Sequence, residues 1–309
     1  VNPYVDANPY TYAPVYQYPA GTILWHLPFV ALVPDSAVLG ESFMAARVAA
    51  WAMDALAVGL LGVGGWVASN REPTVPILAL LPAALYGLNA TLVREVGLTG
   101  ANDVLMGVLS ALAVGLLADD RQHTLAAVCM GLAVAVKPPA LVLLPIVAVV
   151  AGLRRGLLAV AVTGGMQLPF LLWPSPGLHG LGAILEPALR NDSFDVVRSS
   201  VWWPAYVVGG WGRLASVLSH VPVLAGLVVS GAGAAWIVRA STRRPSTQVG
   251  VRLMAIAAVA LAVLVLLAPG WRTTFQSWPI PATIAVASMA LWQVSTTAGQ
   301  RQTSERVTS

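Results

Sequence analysis

The sequence contains few charged residues and almost no cysteine. Asp, Glu, Lys and Arg make up 10% of its 309 residues and hydrophobic residues make up 57%, whereas about a quarter of a soluble domain is charged. The single cysteine, Cys129, excludes an intramolecular disulfide. These shortages exclude a soluble enzyme, a disordered regulator, a coiled coil and a disulfide scaffold.

Extended basic runs and the common nucleotide-binding and hydrolase motifs are also missing. The net charge is +4, but the chain has one lysine and no run of more than two basic residues, so no nucleic-acid partner is expected. The sequence has no Walker loop, no His–Glu zinc motif, no G-x-S-x-G and no dinucleotide fingerprint. These absences argue against a nucleotide-driven pump and a familiar hydrolase.

Long apolar stretches alternate with short polar clusters, which is the pattern of a chain that crosses a bilayer repeatedly. The predicted fold class is all-α: a polytopic membrane protein with about nine transmembrane helices and short interfacial helices at the outer face. The predicted spans are 43–68, 74–93, 102–118, 124–136, 139–152, 157–173, 221–238, 252–268 and 279–295. Residues 20–34 are apolar but too few to span, so a half-helix or interfacial helix is predicted there.

The distribution of arginine predicts the orientation in the cell membrane. If the N-terminus is outside, the cytoplasmic segments are 69–73, 119–123, 153–156, 239–252 and 297–309, and they hold ten of the seventeen basic residues. Cytoplasmic loops are enriched in Lys and Arg, so the C-terminus is predicted to be cytoplasmic and the active face extracytoplasmic. The predicted organisation is an outer loop with a short helix (1–42), six transmembrane helices (43–173), a second outer loop (174–220), three further helices (221–296) and a cytoplasmic tail (297–309).

Two charged residues at predicted outer helix ends are candidates for substrate binding. Asp103 begins a span, where a carboxylate would hold a divalent cation or a sugar hydroxyl; the structural alternative is a helix N-cap. Lys137 lies on a turn between two short apolar helices and is followed by two prolines. Its ammonium would hold the phosphate of a lipid-linked substrate, or extend to lipid headgroups.

Further candidates lie on the neighbouring segments. Asp54 falls within a span, so it is predicted to face other helices or a cavity, and a structural partner is the favoured role. Arg47, at the outer end of the same span, would pair with an acid, bind a phosphate or extend to headgroups. His26, in the 20–34 helix, is a substrate-binding candidate whose alternative is a structural role.

The opening loop, residues 1–19 ahead of the short helix, holds five of the seven tyrosines and a single acid, Asp6. Aromatic rings beside polar groups bind sugars, but they also form belts at membrane interfaces. Tyr16 and Tyr18, near the end of this loop, are therefore candidates for substrate binding.

Several short motifs follow one another in a distinctive order across residues 8–170. They are Asn8-Pro9-Tyr10, Tyr16-Gln17-Tyr18-Pro19, Arg47, Gly100-Ala101-Asn102-Asp103, the Leu116, Ala118, Asp120 and Arg121 set, Gly131-Leu132-Ala133, Val136-Lys137-Pro138 and Arg154-Arg155. Their order and spacing resemble the GT-C superfamily of integral-membrane glycosyltransferases, and most closely its actinobacterial α-mannosyltransferase type. Beyond residue 175 only the hydropathy fits.

The resemblance implies a polyprenyl-phosphate sugar donor, such as polyprenyl-phosphate mannose, and an inverting transfer to a lipid or glycan hydroxyl. Lys137 matches the family's lysine before the break between two short helices, where it would bind the phosphate. Asp103 matches an acidic position that binds substrate or a metal in some branches, so a divalent cation is the one cofactor considered. The expected partners are the donor, the acceptor and membrane lipids.

The position of the catalytic base departs from the family pattern. The family's catalytic Asp follows a first transmembrane helix, ahead of the Asn-Pro-Tyr element, whereas this chain begins at Val1, after that helix. The base is therefore expected upstream of Val1 in the reading frame, or it is absent and the chain is inactive. Asp6 falls after the expected position and is the one alternative in the opening loop.

Two other functions compete with an enzyme. A transporter or flippase of a lipid-linked sugar would also need ions at membrane depth, but no internal repeat of the kind common in transporters is evident. A non-catalytic membrane subunit would suit a chain without the first helix. The long outer loops favour the enzyme, because functional residues concentrate in loops held by a rigid scaffold.

Overall fold

A computed structural model describes residues 20–32, 44–68, 76–89, 103–171, 220–240, 246–268 and 278–288, and the single positions 202, 204, 207 and 208. Every regular element in these ranges is helical, so the predicted all-α class is confirmed for them. The helices are α1 (Ala20–Leu32), α2 (Met44–Ala68), α3 (Pro76–Gly87), α4 (Asp103–Leu116), α5 (His123–Val136), α6 (Leu144–Val150), α7 (Leu153–Leu171), α8 (Val221–Ala240), α9 (Ser246–Leu267) and α10 (280–288); Pro138–Leu143, between α5 and α6, is a 3₁₀ segment.

Most of the helices pack as antiparallel neighbours. α2 and α3 form one hairpin, and α4 and α5 form a second, joined by the turn 117–122. From α5 the chain reverses through the 3₁₀ segment and α6, which pack against α8, and the Ser230 hydroxyl of α8 donates to the carbonyl of Val142. α8 and α9 form the last complete hairpin.

α5 and α7 approach each other closely at Gly131. A Cβ atom on Gly131 would lie 2.5 Å from the carbonyl oxygen of Ala159 and 2.7 Å from the Cβ of Val162. The Thr163 hydroxyl donates to the Gly131 carbonyl at 2.9 Å. Small residues at such contacts let two helix backbones approach closely, as in many membrane helix pairs.

Three of the described helices contain stretches long and apolar enough to cross a membrane, namely Met44–Gly62, Val221–Ala240 and Val249–Leu267. The helices Ala20–Leu32 and Asp103–Leu116 and the segment Pro138–Val150 are apolar but shorter. The described helices are therefore compatible with a membrane protein, while the count of nine spans stays a prediction.

The helix directions bring the described parts of three predicted cytoplasmic segments, 119–123, 153–156 and 239–252, to one end of the bundle. The turn 117–122, the turn between α6 and α7, and the end of α8 all lie there, and a Cβ on Gly250 of α9 would lie 2.9 Å from the side chain of Ala118. We call this the basic end, because it carries Arg121, Arg154, Arg155 and Arg239. The starts of α4, α8 and α10 and the ends of α5, α7 and α9 lie at the opposite end, which we call the site end.

Two helices begin earlier than the hydropathy predicts. α7 starts at Leu153 rather than at 157, because Gly152 adopts φ 92° and reverses the chain within one residue. The Arg155 guanidinium then donates to the carbonyl of Ala151 at 2.9 Å. α9 starts at Ser246 rather than at 252. In both helices the first turn contains polar residues, so the hydropathy does not indicate where the helix begins.

α1 is the short helix predicted for residues 20–34. Its first three residues are buried, whereas Leu27, Val30 and Leu32 are exposed. The Trp25 indole donates to the carbonyl of Ala49 on α2 at 3.1 Å. The helix is therefore confirmed, and its assignment as a half-helix or interfacial helix stays a prediction.

Candidate functional site

Lys137 occupies the reversal between α5 and the 3₁₀ segment. Proline cannot continue a helix, so α5 ends at Val136, and Lys137 has an extended backbone with φ −149° and ψ 131°. Its backbone N–H still bonds to the carbonyl of Ala133 at 3.0 Å. The turn therefore lies where the sequence predicts it, but the side chain is buried and only 6% of the residue is exposed.

Asp103 is the first residue of α4, where its negative charge is favoured by the helix dipole. The residue is 4% exposed, and its Oδ1 atom forms an ion pair with the Lys137 ammonium. The structure thus brings together the two strongest candidates of the sequence analysis. Their contact, which the sequence alone did not predict, places both charges at the site end of the bundle.

Trp278 completes this centre from the far end of the chain. It precedes α10, is 6% exposed, and its indole Nε1 donates to Asp103 Oδ1 at 2.7 Å. We refer to Asp103, Lys137 and Trp278 as the buried ion-pair centre. Trp278 does not stand out in the sequence, because it is one of eleven tryptophans. The available signal was its position directly ahead of the predicted span 279–295.

The energetics of this centre argue against a purely structural role. Transferring an ion out of water costs several kcal/mol, and a buried ion pair often contributes no more stability than apolar residues of the same volume. Charged residues within a membrane protein usually mark a substrate or ion site. The ion pair is therefore a candidate functional site rather than an ordinary packing contact.

The start of α1 is fixed directly beside Lys137. The Thr22 hydroxyl donates to the Val136 carbonyl at 2.8 Å, and the Ala20 N–H donates to the Gln167 side chain at 3.0 Å. A Cβ on Gly21 would lie 2.5 Å from the carbonyl oxygen of Ala135. The chain therefore leaves the opening loop at the backbone that carries Lys137.

The other predicted site residues fall elsewhere or outside the described residues. Arg47 is half-buried in the first turn of α2. The His26 Nδ1 atom lies 2.8 Å from the Thr22 carbonyl of its own helix. Asp6, Tyr16 and Tyr18 lie outside the described residues, so their roles stay predictions.

A second carboxylate lies on α2. Asp54 accepts a hydrogen bond from the Tyr86 hydroxyl of α3 at 3.0 Å, and Tyr86 is almost fully buried. The prediction that Asp54 faces another helix and has a partner there is confirmed. This pair joins the two helices of the first hairpin.

The divalent-cation expectation for Asp103 stays a prediction. Among the described residues, no group of three or more His, Cys, Asp or Glu side chains is arranged to hold a metal ion. The Oδ1 atom of Asp103 already accepts from an ammonium and an indole N–H. A cation at Asp103 would have to use its other oxygen or displace Lys137.

In comparisons with protein-family models, curated proteins and solved structures, nothing matches this chain. The buried ion-pair centre and the order of the sequence motifs are therefore the basis for a functional proposal.

Proposed function

We propose that the protein is a multi-pass membrane glycosyltransferase of about nine spans. It transfers a sugar, mannose in the first instance, from a polyprenyl-phosphate donor to a hydroxyl of a lipid or glycan acceptor. The transfer takes place at the extracytoplasmic face of the cell membrane, and the C-terminus is cytoplasmic. The proposal combines the order of the GT-C-like motifs with the chemistry of the buried ion-pair centre.

The single observation that carries the proposal is the buried ammonium of Lys137 at the turn between two short helices. An ammonium group forms strong charge-assisted hydrogen bonds with phosphate oxygens. It would stabilise the charge that develops on the polyprenyl phosphate as the bond to the sugar breaks. The resemblance gives a lysine at this position the same role.

The location of the centre supports an outward-facing site. Lys137 and Asp103 lie at the site end, opposite the end that carries Arg121, Arg154, Arg155 and Arg239. Because arginine-rich ends of membrane helices usually face the cytoplasm, this arrangement favours an extracytoplasmic centre. A donor that presents its phosphate at the outer leaflet would then approach from the correct side.

The remaining roles follow the sequence analysis. The acceptor hydroxyl loses its proton to a carboxylate base as its oxygen bonds to the anomeric carbon of the sugar. The anomeric carbon–oxygen bond breaks, and its electrons leave with polyprenyl phosphate. Asp6 is the candidate for this base. Arg47, Tyr16, Tyr18 and His26 are proposed to line the donor and sugar sites.

The test is a transfer assay in membranes that contain the protein, expressed from its full reading frame. Labelled polyprenyl-phosphate mannose is added, and label in a new glycosidic product is measured. We expect transfer by the wild type and none by the Asp103→Asn/Lys137→Met double variant. This variant removes the ammonium that binds the phosphate, and it leaves neither charge buried alone.

The matched control is the Asp120→Asn/Arg121→Gln double variant, which removes one acidic and one basic side chain at the basic end. It should transfer as well as the wild type. If a folded Asp103→Asn/Lys137→Met protein keeps full transfer, the proposed site is wrong. If donor crosses the membrane without a new glycosidic bond, the protein is a transporter. If neither process occurs with the full reading frame, the subunit function is favoured.

A further inference from the structure

Asp103 lies where a bound phosphate would also have to lie, next to the Lys137 ammonium. With Asp103 paired to it, the two side chains together are electrically neutral. A phosphate that joined this pair would place two anions beside one buried ammonium. Like charges at such a distance in a poorly solvated site repel strongly, so both anions cannot keep the same contact with Lys137.

Trp278 provides a way to hold Asp103 when Lys137 moves. Its indole N–H donates to the same Oδ1 atom at 2.7 Å, and this hydrogen bond does not depend on the ammonium. Lys137 carries its charge on a flexible four-carbon chain, whereas Trp278 is a buried ring at the start of α10. The ammonium is thus the mobile member of the centre and the indole the fixed one.

We infer that Asp103 is a resident anion, which the phosphate of the ligand displaces from Lys137 while Trp278 retains the carboxylate. The inference rests on the part of the proposed function in which Lys137 binds phosphate, and it adds how that site is regulated. Until a phosphate arrives, Lys137 is neutralised by Asp103. A neutral lipid supplies no charge to replace the carboxylate, so the exchange selects phosphorylated ligands.

The inference predicts that removing the acid strengthens phosphate binding. We expect Asp103→Asn to bind farnesyl phosphate about tenfold more tightly than the wild type, because a hydrogen bond to a charged group no longer competes for Lys137. Isothermal titration of the full chain in detergent measures this, and farnesol is the uncharged control. The Asp103→Asn/Lys137→Met variant should lose the binding. Weaker binding by Asp103→Asn than by the wild type would overturn the inference.

A second variant tests the exchange with both charges in place. Trp278→Phe keeps the ring but removes the N–H, so the displaced carboxylate loses a partner, and farnesyl phosphate should bind about fivefold more weakly. The matched control is Trp236→Phe on α8, whose side chain is 64% exposed. Unchanged affinity in Trp278→Phe would overturn the inference even if Asp103→Asn fails to fold.

Inorganic phosphate separates the possible sources of the ligand. If Asp103→Asn tightens the binding of farnesyl phosphate alone, the exchange serves a lipid-linked phosphate; if it tightens both, any phosphate group is admitted.

The transfer assay separates this inference from the proposed function. If Asp103→Asn binds more tightly but the wild type transfers no sugar, the anion exchange is supported and the transferase function is wrong. If the wild type transfers sugar but Asp103→Asn binds more weakly, the transferase function is supported and the anion exchange is wrong.

Discussion

Lys137 and Asp103 carry opposite charges in a part of the bundle where either charge alone would be costly. Breaking a buried ion pair by removal of one partner costs about 3–5 kcal/mol, because the other charge is left without compensation. Removal of both charges lowers the free energy of unfolding much less, because no charge is left unpaired. The stability of single and double variants therefore reports whether the two side chains act as one unit.

We predict that Lys137→Met lowers the free energy of unfolding by about 3–5 kcal/mol, and that Asp103→Asn/Lys137→Met recovers most of this loss. Thermal denaturation of the detergent-solubilised protein measures the four members of the cycle. Strictly additive effects of the two substitutions would mean that the ion pair does not form, since independent sites show no coupling energy.

The candidate residues could be predicted from the sequence one at a time, but their contact could not. Asp103 and Lys137 each stand out as an isolated charge beside an apolar run. Their meeting depends on how the start of α4 and the end of α5 align across a hairpin. Trp278 lies 175 residues from Asp103, so only the assembly of α10 against α4 reveals it.

Individual helices also depend on contacts that substitutions can probe. The α5–α7 contact has no room for a side chain at Gly131, because a Cβ would lie 2.5 Å from the Ala159 carbonyl. On α7 itself, Gly165 has nothing within 4 Å of the position that its Cβ would take. The two glycines therefore provide a crowded site and an open one within a single helix pair.

We predict that Gly131→Ala destabilises the protein by about 1–3 kcal/mol, because the two helix backbones must separate. Gly165→Ala should be neutral or stabilise by up to about 1 kcal/mol, since alanine is the better helix former. Thermal denaturation compares the two. Equal effects at both positions would show that α5 and α7 do not make this contact.

The existence of the helices was predictable from hydropathy, whereas their ends were not. Apolar runs locate the cores of α2, α5, α8 and α9 well. The first turns of α7 and α9 are polar, and only the reversal at Gly152 fixes where α7 begins. The predicted span 74–93 corresponds in the described residues to α3, which has 12 residues.

At the scale of the whole molecule, the two ends of the bundle differ in charge. The described arginines of the turns and of the end of α8 collect at one end, and the buried ion-pair centre lies at the other. The orientation in the membrane can be tested at two exposed positions outside the predicted spans. His220 precedes α8 at the site end and is exposed, and Leu153 begins α7 at the basic end and is 70% exposed.

We predict that a membrane-impermeant maleimide labels His220→Cys in intact cells and labels Leu153→Cys only after the cells are lysed. Cys129 is buried, and a Cys129→Ala background removes any residual signal from it. Labelling of Leu153→Cys in intact cells would reverse the proposed orientation and with it the extracytoplasmic site.

The length of α5 sets the depth of the buried ion-pair centre. α5 has 14 residues, and at 1.5 Å per residue it is about 21 Å long, whereas the hydrocarbon core of a bilayer is about 30 Å thick. With the start of α5 at the cytoplasmic surface, Lys137 lies well below the outer surface. For the proposed donor, this depth means that the phosphate has to enter beneath the headgroup layer to reach Lys137, rather than bind at the membrane surface.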